Sequence, residues 1–235
     1  MARKKIVFVI VEGPSDEEAL GVILFKLYSS SEVYVHITHG DITSEFIEAP
    51  GENIFTRVVD EVETYARANH YEKIHFKEII HIVDTDGTFV SNDNVIEDLS
   101  AEKPFYSLNE IRTKNKAGIE KRNKRKSNNI NKLCSKMKLW DIPYQVYYMS
   151  CNLDHVLYDK LNSSDDAKEE DAFRFAMRYK DKIPEFVKFI SESAFSVVGD
   201  YRKSWSFIQK GLNSLQRYTN FGIALPKEKE EPEHP

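Results

Sequence analysis

Apolar positions in the first third of the chain follow two different periods. Ile6–Val11 and Glu78–Val83 are short runs rich in Ile and Val, with the length and composition of strands buried on both faces. Val33–Thr38 alternates in the manner of a further strand and runs into His39-Gly40-Asp41. Two intervening segments repeat at helical spacing. Ser15–Tyr28 places Ala19, Leu20, Ile23, Leu24 and Leu27 on one face, and Asn53–Ala68 places Val58, Val59, Val62 and Tyr65. Ser15 and Glu18 stand at capping-box spacing. Strand and helix in alternation predict an α/β fold, a Rossmann-like parallel sheet flanked by helices.

From Thr88 to Lys126 the pattern is polar and irregular. It resumes with a helix over Asn129–Leu139, a fourth strand over Tyr144–Met149, and helices over Leu153–Leu161, Asp166–Tyr179, Pro184–Ser193 and Tyr201–Tyr218. The expected organisation is a catalytic domain over 1–160 with a basic insertion at 100–130, and a helical C-terminal extension over 161–222. The Pro- and Glu-rich tail, 223–235, is expected to be disordered. No internal repeat is present.

With 235 residues, 41% hydrophobic and 30% charged, the composition is that of a globular protein. A net charge of −5 argues against a protein that coats nucleic acid by overall charge. Locally the balance reverses. Between Arg112 and Lys126, eight of fifteen residues are basic: Arg112, Lys114, Lys116, Lys121, Arg122, Lys124, Arg125 and Lys126. Such a cluster supplies phosphate contacts without reading sequence, although a solvated helix face is the plainer alternative. No run is long enough to span a membrane. The apolar run after Arg3-Lys4-Lys5 breaks at Glu12 and reads as a strand rather than a signal peptide. Cys134 and Cys151, without metal-ligand spacing, fit reduced structural thiols in a cytoplasmic protein.

The chemistry sits where two strands end. Glu12-Gly13 with Asp16 follows the first strand, and Asp84-Thr85-Asp86-Gly87 follows the third. Ligands of open α/β sheets bind beyond the carboxyl ends of the strands, so Glu12, Asp16, Asp84 and Asp86 are expected to share one crevice. Asp84 and Asp86, two apart on an extended segment, would face the same side. Clustered carboxylates repel unless a cation or proton lies among them, which suggests Mg²⁺ or Mn²⁺. Taken singly, each motif also reads as a polar turn or a helix-end carboxylate.

The Glu-Gly pair after the first strand and the Asp-x-Asp after the third resemble the TOPRIM family, the catalytic module of topoisomerases, bacterial primases and OLD-type nucleases. The resemblance covers roughly residues 4–160 and is strongest toward OLD-type nucleases and small stand-alone relatives. It implies Mg²⁺-dependent hydrolysis of DNA or RNA, with Glu12, Asp84, Asp86 and Lys203 catalytic. Metal would be held by Glu12, Asp16, Asp84, Asp86 and Asp154. Asn152-Leu153-Asp154 resembles that family's acidic segment after the fourth strand, with Asp where Glu is usual. Lys203 resembles its late lysine, which neutralises transition-state charge. No GxxxxGK[ST] occurs, so a separate ATPase or regulatory protein, or a second copy of the chain, is the partner to expect besides nucleic acid.

Two other readings compete. Ile80-His81-Ile82-Val83-Asp84-Thr85-Asp86-Gly87-Thr88-Phe89 also resembles the first motif of haloacid-dehalogenase-like phosphatases, which implies Asp84 as nucleophile and Asp86 as general acid/base, again with Mg²⁺. That reading leaves Glu12-Gly13 unexplained. A non-catalytic nucleic-acid-binding partner is the other. His39, His70, His75, His81 and His155 lack ligand spacing and read as structural. Phe8, Phe25, Tyr147, Phe173, Phe175, Phe186, Phe189, Trp205 and Phe207 read as core.

Overall fold

The computed structural model describes residues 4–28, 31–38, 40–45 and 52–226. His39 and tail residues 227–235 lie outside the described residues. The first elements are β1 (Ile6–Val11), α1 (Pro14–Leu27), β2 (Glu32–Ile37), α2 (Ile54–Ala68) and β3 (Phe76–Asp84). Three short strands follow, β4 (Val95–Glu97), β5 (Phe105–Tyr106) and β6 (Ile111–Thr113), then α3 (Lys116–Cys134). The rest comprises β7 (Lys138–Leu139), β8 (Ile142–Ser150), α4 (Leu153–Tyr158), α5 (Asp165–Tyr179), α6 (Ile183–Glu192), α7 (Tyr201–Ile208) and β9 (Tyr218–Thr219).

The chain is α/β, with a mixed sheet ordered β2-β1-β3-β8-β7. Strands β2, β1, β3 and β8 are mutually parallel, while β7 and β9 pair antiparallel with β8. Side chains alternate across this sheet with period two. Val7, Val9, Val11, Ile80, Ile82, Tyr147 and Met149 face a core shared with α1, α4, α5 and α6. Ile6, Phe8, Ile10, Ile79, Val83, Val146 and Tyr148 face a second core with α2, α3 and α7. All six residues of β1 are buried. Hydrophobicity on both faces cannot by itself fix the register of such a strand.

Several expectations are corrected. The Thr88–Lys126 stretch contains a second sheet, β4-β6-β5, and most of α3. The helix read over Asn129–Leu139 begins at Lys116 and stops at Cys134, and Lys138–Leu139 form a strand. The helix read over Tyr201–Tyr218 stops at Ile208, and Tyr218 pairs with Ser150 in the sheet. Phe25 and Phe173 are exposed rather than core. Residues 223–226 continue a 3₁₀ turn over Phe221–Ile223 and bury Leu225, so the start of the expected tail is packed. Cys134 and Cys151 are free thiols. Among the described residues, no helix is long and apolar enough to cross a membrane.

Candidate metal centre at the carboxyl edge of the sheet

The parallel strands deliver their carboxyl ends to one edge, and an acidic residue follows three of them. Glu12 comes directly after β1. Gly13 in extended conformation and Pro14 then turn the chain into α1, proline being pre-organised for the first helical position. Asp41 follows β2, where its Oδ1 accepts the N–H groups of Thr43 (2.9 Å) and Ser44 (3.2 Å) and the Thr43 hydroxyl. Asp84 is the last residue of β3. Its N–H donates to Glu12 Oε1 (3.2 Å), and its Oδ1 accepts the Leu153 N–H (2.9 Å) at the start of α4.

Asp86 reaches the cluster by an unexpected route. It is not extended: its φ is +47° and that of Gly87 is +64°. The tight left-handed turn, not the strand pleat, carries its carboxylate back over the edge. Asp tolerates this region better than most residues. At Gly87 a side chain would be strained, because φ is positive and a Cβ would lie 2.5 Å from Leu215 Cδ2.

One carboxylate oxygen each from Glu12, Asp41 and Asp86 lie within 4.8 Å of one another, so this triad could hold a metal ion. In the structure the Lys126 ammonium sits among them. It lies 2.6 Å from Asp41 Oδ2, 2.6 Å from Asp86 Oδ2 and 3.6 Å from Glu12 Oε1. The Lys126 side chain is 0% exposed, whereas those of Glu12, Asp41 and Asp86 retain 17%, 18% and 21%. The carboxylates are therefore open to solutes on a side that the lysine does not occupy. Arg122 adds a second cation. Its Nη2 donates to the Asp86 carbonyl (2.9 Å), and its Nη1 stands 3.9 Å from Asp86 Oδ2.

Electrostatics show an unbalanced cluster. Burial pushes Glu12 well above the usual carboxylate range, and Asp41 and Asp86 push the same way against Lys126. Asp84 is raised by burial and then by Glu12, Asp16 and Asp86. Burial would raise Asp41 too, but Lys126 and the Thr43 and Ser44 hydrogen bonds outweigh it and hold Asp41 at about 2. Lys126 is buried, yet Asp41, Asp86 and Glu12 hold its ammonium charged, well above its usual range. Four carboxylates thus face two cations. The donor set is all oxygen, which suits a hard divalent cation, and a cation here relieves the excess charge that raises Glu12 and Asp84.

The other expected residues fall in different places. Asp16 caps α1, with Oδ2 accepting the Gly13 N–H (3.0 Å). Its pKa is raised to about 6 by burial, with Gly13 opposing and Asp154 adding to the rise. Asp154 is buried beside Asp16, 3.8 Å from Lys168, outside the triad. Lys203 is exposed on α7, where its backbone N–H donates to Asp200 Oδ1 (2.7 Å).

The basic segment divides. Arg112 on β6 pairs with Glu110, Lys116 lies 3.9 Å from Glu120, and Arg125 Nε donates to the Ser44 carbonyl. Arg122 and Lys126 turn inward to the carboxylates, which corrects their reading as phosphate-gripping surface residues. Lys114, Lys121 and Lys124 are exposed. Sequence reasoning missed Asp41, although a carboxylate shortly after a strand was the same signal that found Glu12. Comparison of the chain with protein-family models, with curated proteins and with solved structures found no match.

Proposed function

We propose that the chain is a Mg²⁺- or Mn²⁺-dependent nuclease of the TOPRIM type and OLD kind, hydrolysing phosphodiester bonds of DNA or RNA. The observation that carries this reading is the convergence of Glu12, Asp41, Asp84 and Asp86 at the carboxyl edge of the parallel strands, with more negative charge than Lys126 and Arg122 balance. The contact between Glu12 and the Asp84 N–H makes one cluster of the two motifs, which a phosphatase reading built on Asp84 alone leaves unexplained.

Glu12, Asp41 and Asp86 would hold the metal, with Asp84 beside them. When bound, a divalent ion supplies charge to a phosphoryl oxygen and polarises water for attack. Asp16, raised to about 6, would be the nearby carboxylate to help activate water once metal is held. Lys126, buried and charged, would hold Asp41, Asp86 and Glu12 together and offset part of their repulsion. Glu12 and Asp84 are raised above free carboxylates, so protons compete with metal there and metal binding weakens as pH falls.

The test is cleavage of plasmid and of oligonucleotides with Mg²⁺ or Mn²⁺. Glu12→Ala and Asp84→Ala each reduce the rate by about a hundredfold or more, and chelation abolishes it. Cleavage that survives both substitutions sinks the reading. Phosphorylation trapped on Asp84, indifferent to Glu12→Ala, would replace it with the phosphatase. Binding without turnover under any divalent ion would replace it with a non-catalytic partner.

A further inference from the structure

Sorting the basic residues of α3 by partner isolates a second feature. Arg122 and Lys126 are committed to the carboxylates. Lys121 and Lys124 form no ion pair among the described residues, and both line one cleft of about 500 Å³ between α3 and the loop after β3. Phe89 and Asn92 contribute the opposite wall, and Asn123, Ser127, Asn131 and Glu120 the remainder of the helix side, Glu120 lying 3.9 Å from Lys116. A cavity of this size accommodates a group of nucleotide dimensions.

Asn123 is 4% exposed and its amide nitrogen has no acceptor. Its orientation is not arbitrary. Oδ1 accepts from Arg122 Nε (3.1 Å) and Nη2 (2.7 Å), which leaves Nδ2 as the end without a partner. A buried donor left unpaired costs free energy until an acceptor arrives. The cleft also shares its wall with the carboxylate cluster. Thr88 donates to the Asn123 carbonyl (2.7 Å), and Arg122 bridges from Asn123 to the Asp86 carbonyl. Two unpaired cations, one unpaired amide donor and a half-buried aromatic ring therefore stand next to the site proposed for phosphodiester hydrolysis.

We propose that this cleft is a subsite for one unpaired nucleotide of a single strand, adjacent to the phosphodiester at the carboxylate cluster. Lys121 and Lys124 contact its flanking phosphates, and Phe89 stacks against the base. The inference rests on the nucleic-acid reading of the site. Stacking on Phe89 needs an unpaired base with a free face, and a base–aromatic contact is tolerant of sequence.

The experiment measures fluorescence anisotropy of a labelled oligo-dT and of a matched duplex, with Ca²⁺ replacing Mg²⁺ so that turnover is not needed. The expected result is tighter binding of the single strand. Lys121→Glu with Lys124→Glu weakens it roughly tenfold or more, and the double neutralisation Lys121→Ala with Lys124→Ala lowers the salt slope by about 1.4, two contacts at ~0.7 each. Phe89→Ala weakens the single strand and leaves the duplex unchanged, while Lys132→Glu, elsewhere on α3, changes neither. Circular dichroism confirms that each variant folds. Wild-type affinity in the lysine variants, or no binding of oligo-dT by the wild type, overturns the subsite. So does weakening by the lysine changes alone with Phe89→Ala silent, because inorganic polyphosphate would then serve equally. Absence of cleavage with intact binding counts against the nuclease reading and not against the subsite.

Discussion

At position 126 a lysine stands where α3 would otherwise bury an apolar side chain. Ile119, Ile130 and Leu133 are buried on the helix, and Lys126 falls in their register. Three carboxylates make that burial tolerable. Removing one member of such a group leaves buried charge uncompensated, at a cost of about 3–5 kcal/mol. Lys126→Met should therefore lower the metal-free unfolding free energy by about that amount in urea titration, and adding Asp41→Asn should restore part of it. The position was legible in principle. A lysine on the apolar stripe of a helix asks for a buried partner, whereas the count of basic residues around it suggests only a surface.

His81 is the second residue with a measurable signature. It is fully buried in β3 beside the Tyr144 hydroxyl (2.9 Å), and burial lowers its pKa from the usual 6.5 to about 3, with Asp41 opposing and Lys126 reinforcing. The unfolded chain binds a proton at this histidine below pH 6.5 and the folded chain does not until about pH 3. Its contribution is therefore complete above pH 6.5 and lost as pH falls toward 3, at up to about 1.4 kcal/mol per pH unit. Stability of His81→Leu should decline less steeply across that window than stability of the wild type, measured by urea unfolding at a series of pH values. Parallel curves would show that other groups govern the acid limb.

At the level of elements, β1, β3 and β8 were readable because strands covered on both faces are apolar throughout, and α1 and α2 because their buried faces repeat at helical spacing. The β4-β6-β5 sheet was not, since strands of two or three residues hold too few positions to show a period. The Asp86-Gly87 turn was half legible. The glycine marked a turn, but the left-handed conformation of Asp86 was invisible in an Asp-x-Asp spacing. Gly87→Ala tests that turn. A Cβ there meets Leu215 and Ile111 in a backbone region costly for alanine, and together these should destabilise by about 2–4 kcal/mol. The turn also aims Asp86, so its metal-dependent stabilisation should fall as well.

For the whole molecule, the carboxylate edge is an expense that the cores on either face of the sheet must offset. Glu12→Gln removes a raised, repelled carboxylate, so the metal-free protein should melt about 2–4 °C higher. Mg²⁺ or Mn²⁺ should raise the melting temperature of the wild type and should do so much less for the variant. A variant that melts lower in the absence of metal would mean that Glu12 is held mainly for its bond to the Asp84 N–H.

The placement of Glu12 at the end of β1 has a consequence for which parts of the protein stay closed longest. β1 is an inner strand, paired on both sides and buried along its whole length. Amide protons of such a strand exchange with solvent only when the entire domain opens, while those of short peripheral strands exchange through local fluctuations. Deuterium uptake at Val7–Val11 should therefore be slowest and should track global stability, with the β4–β6 amides filling earlier. The carboxylate that matters most for the proposed chemistry would then be anchored to the last part of the chain to let go.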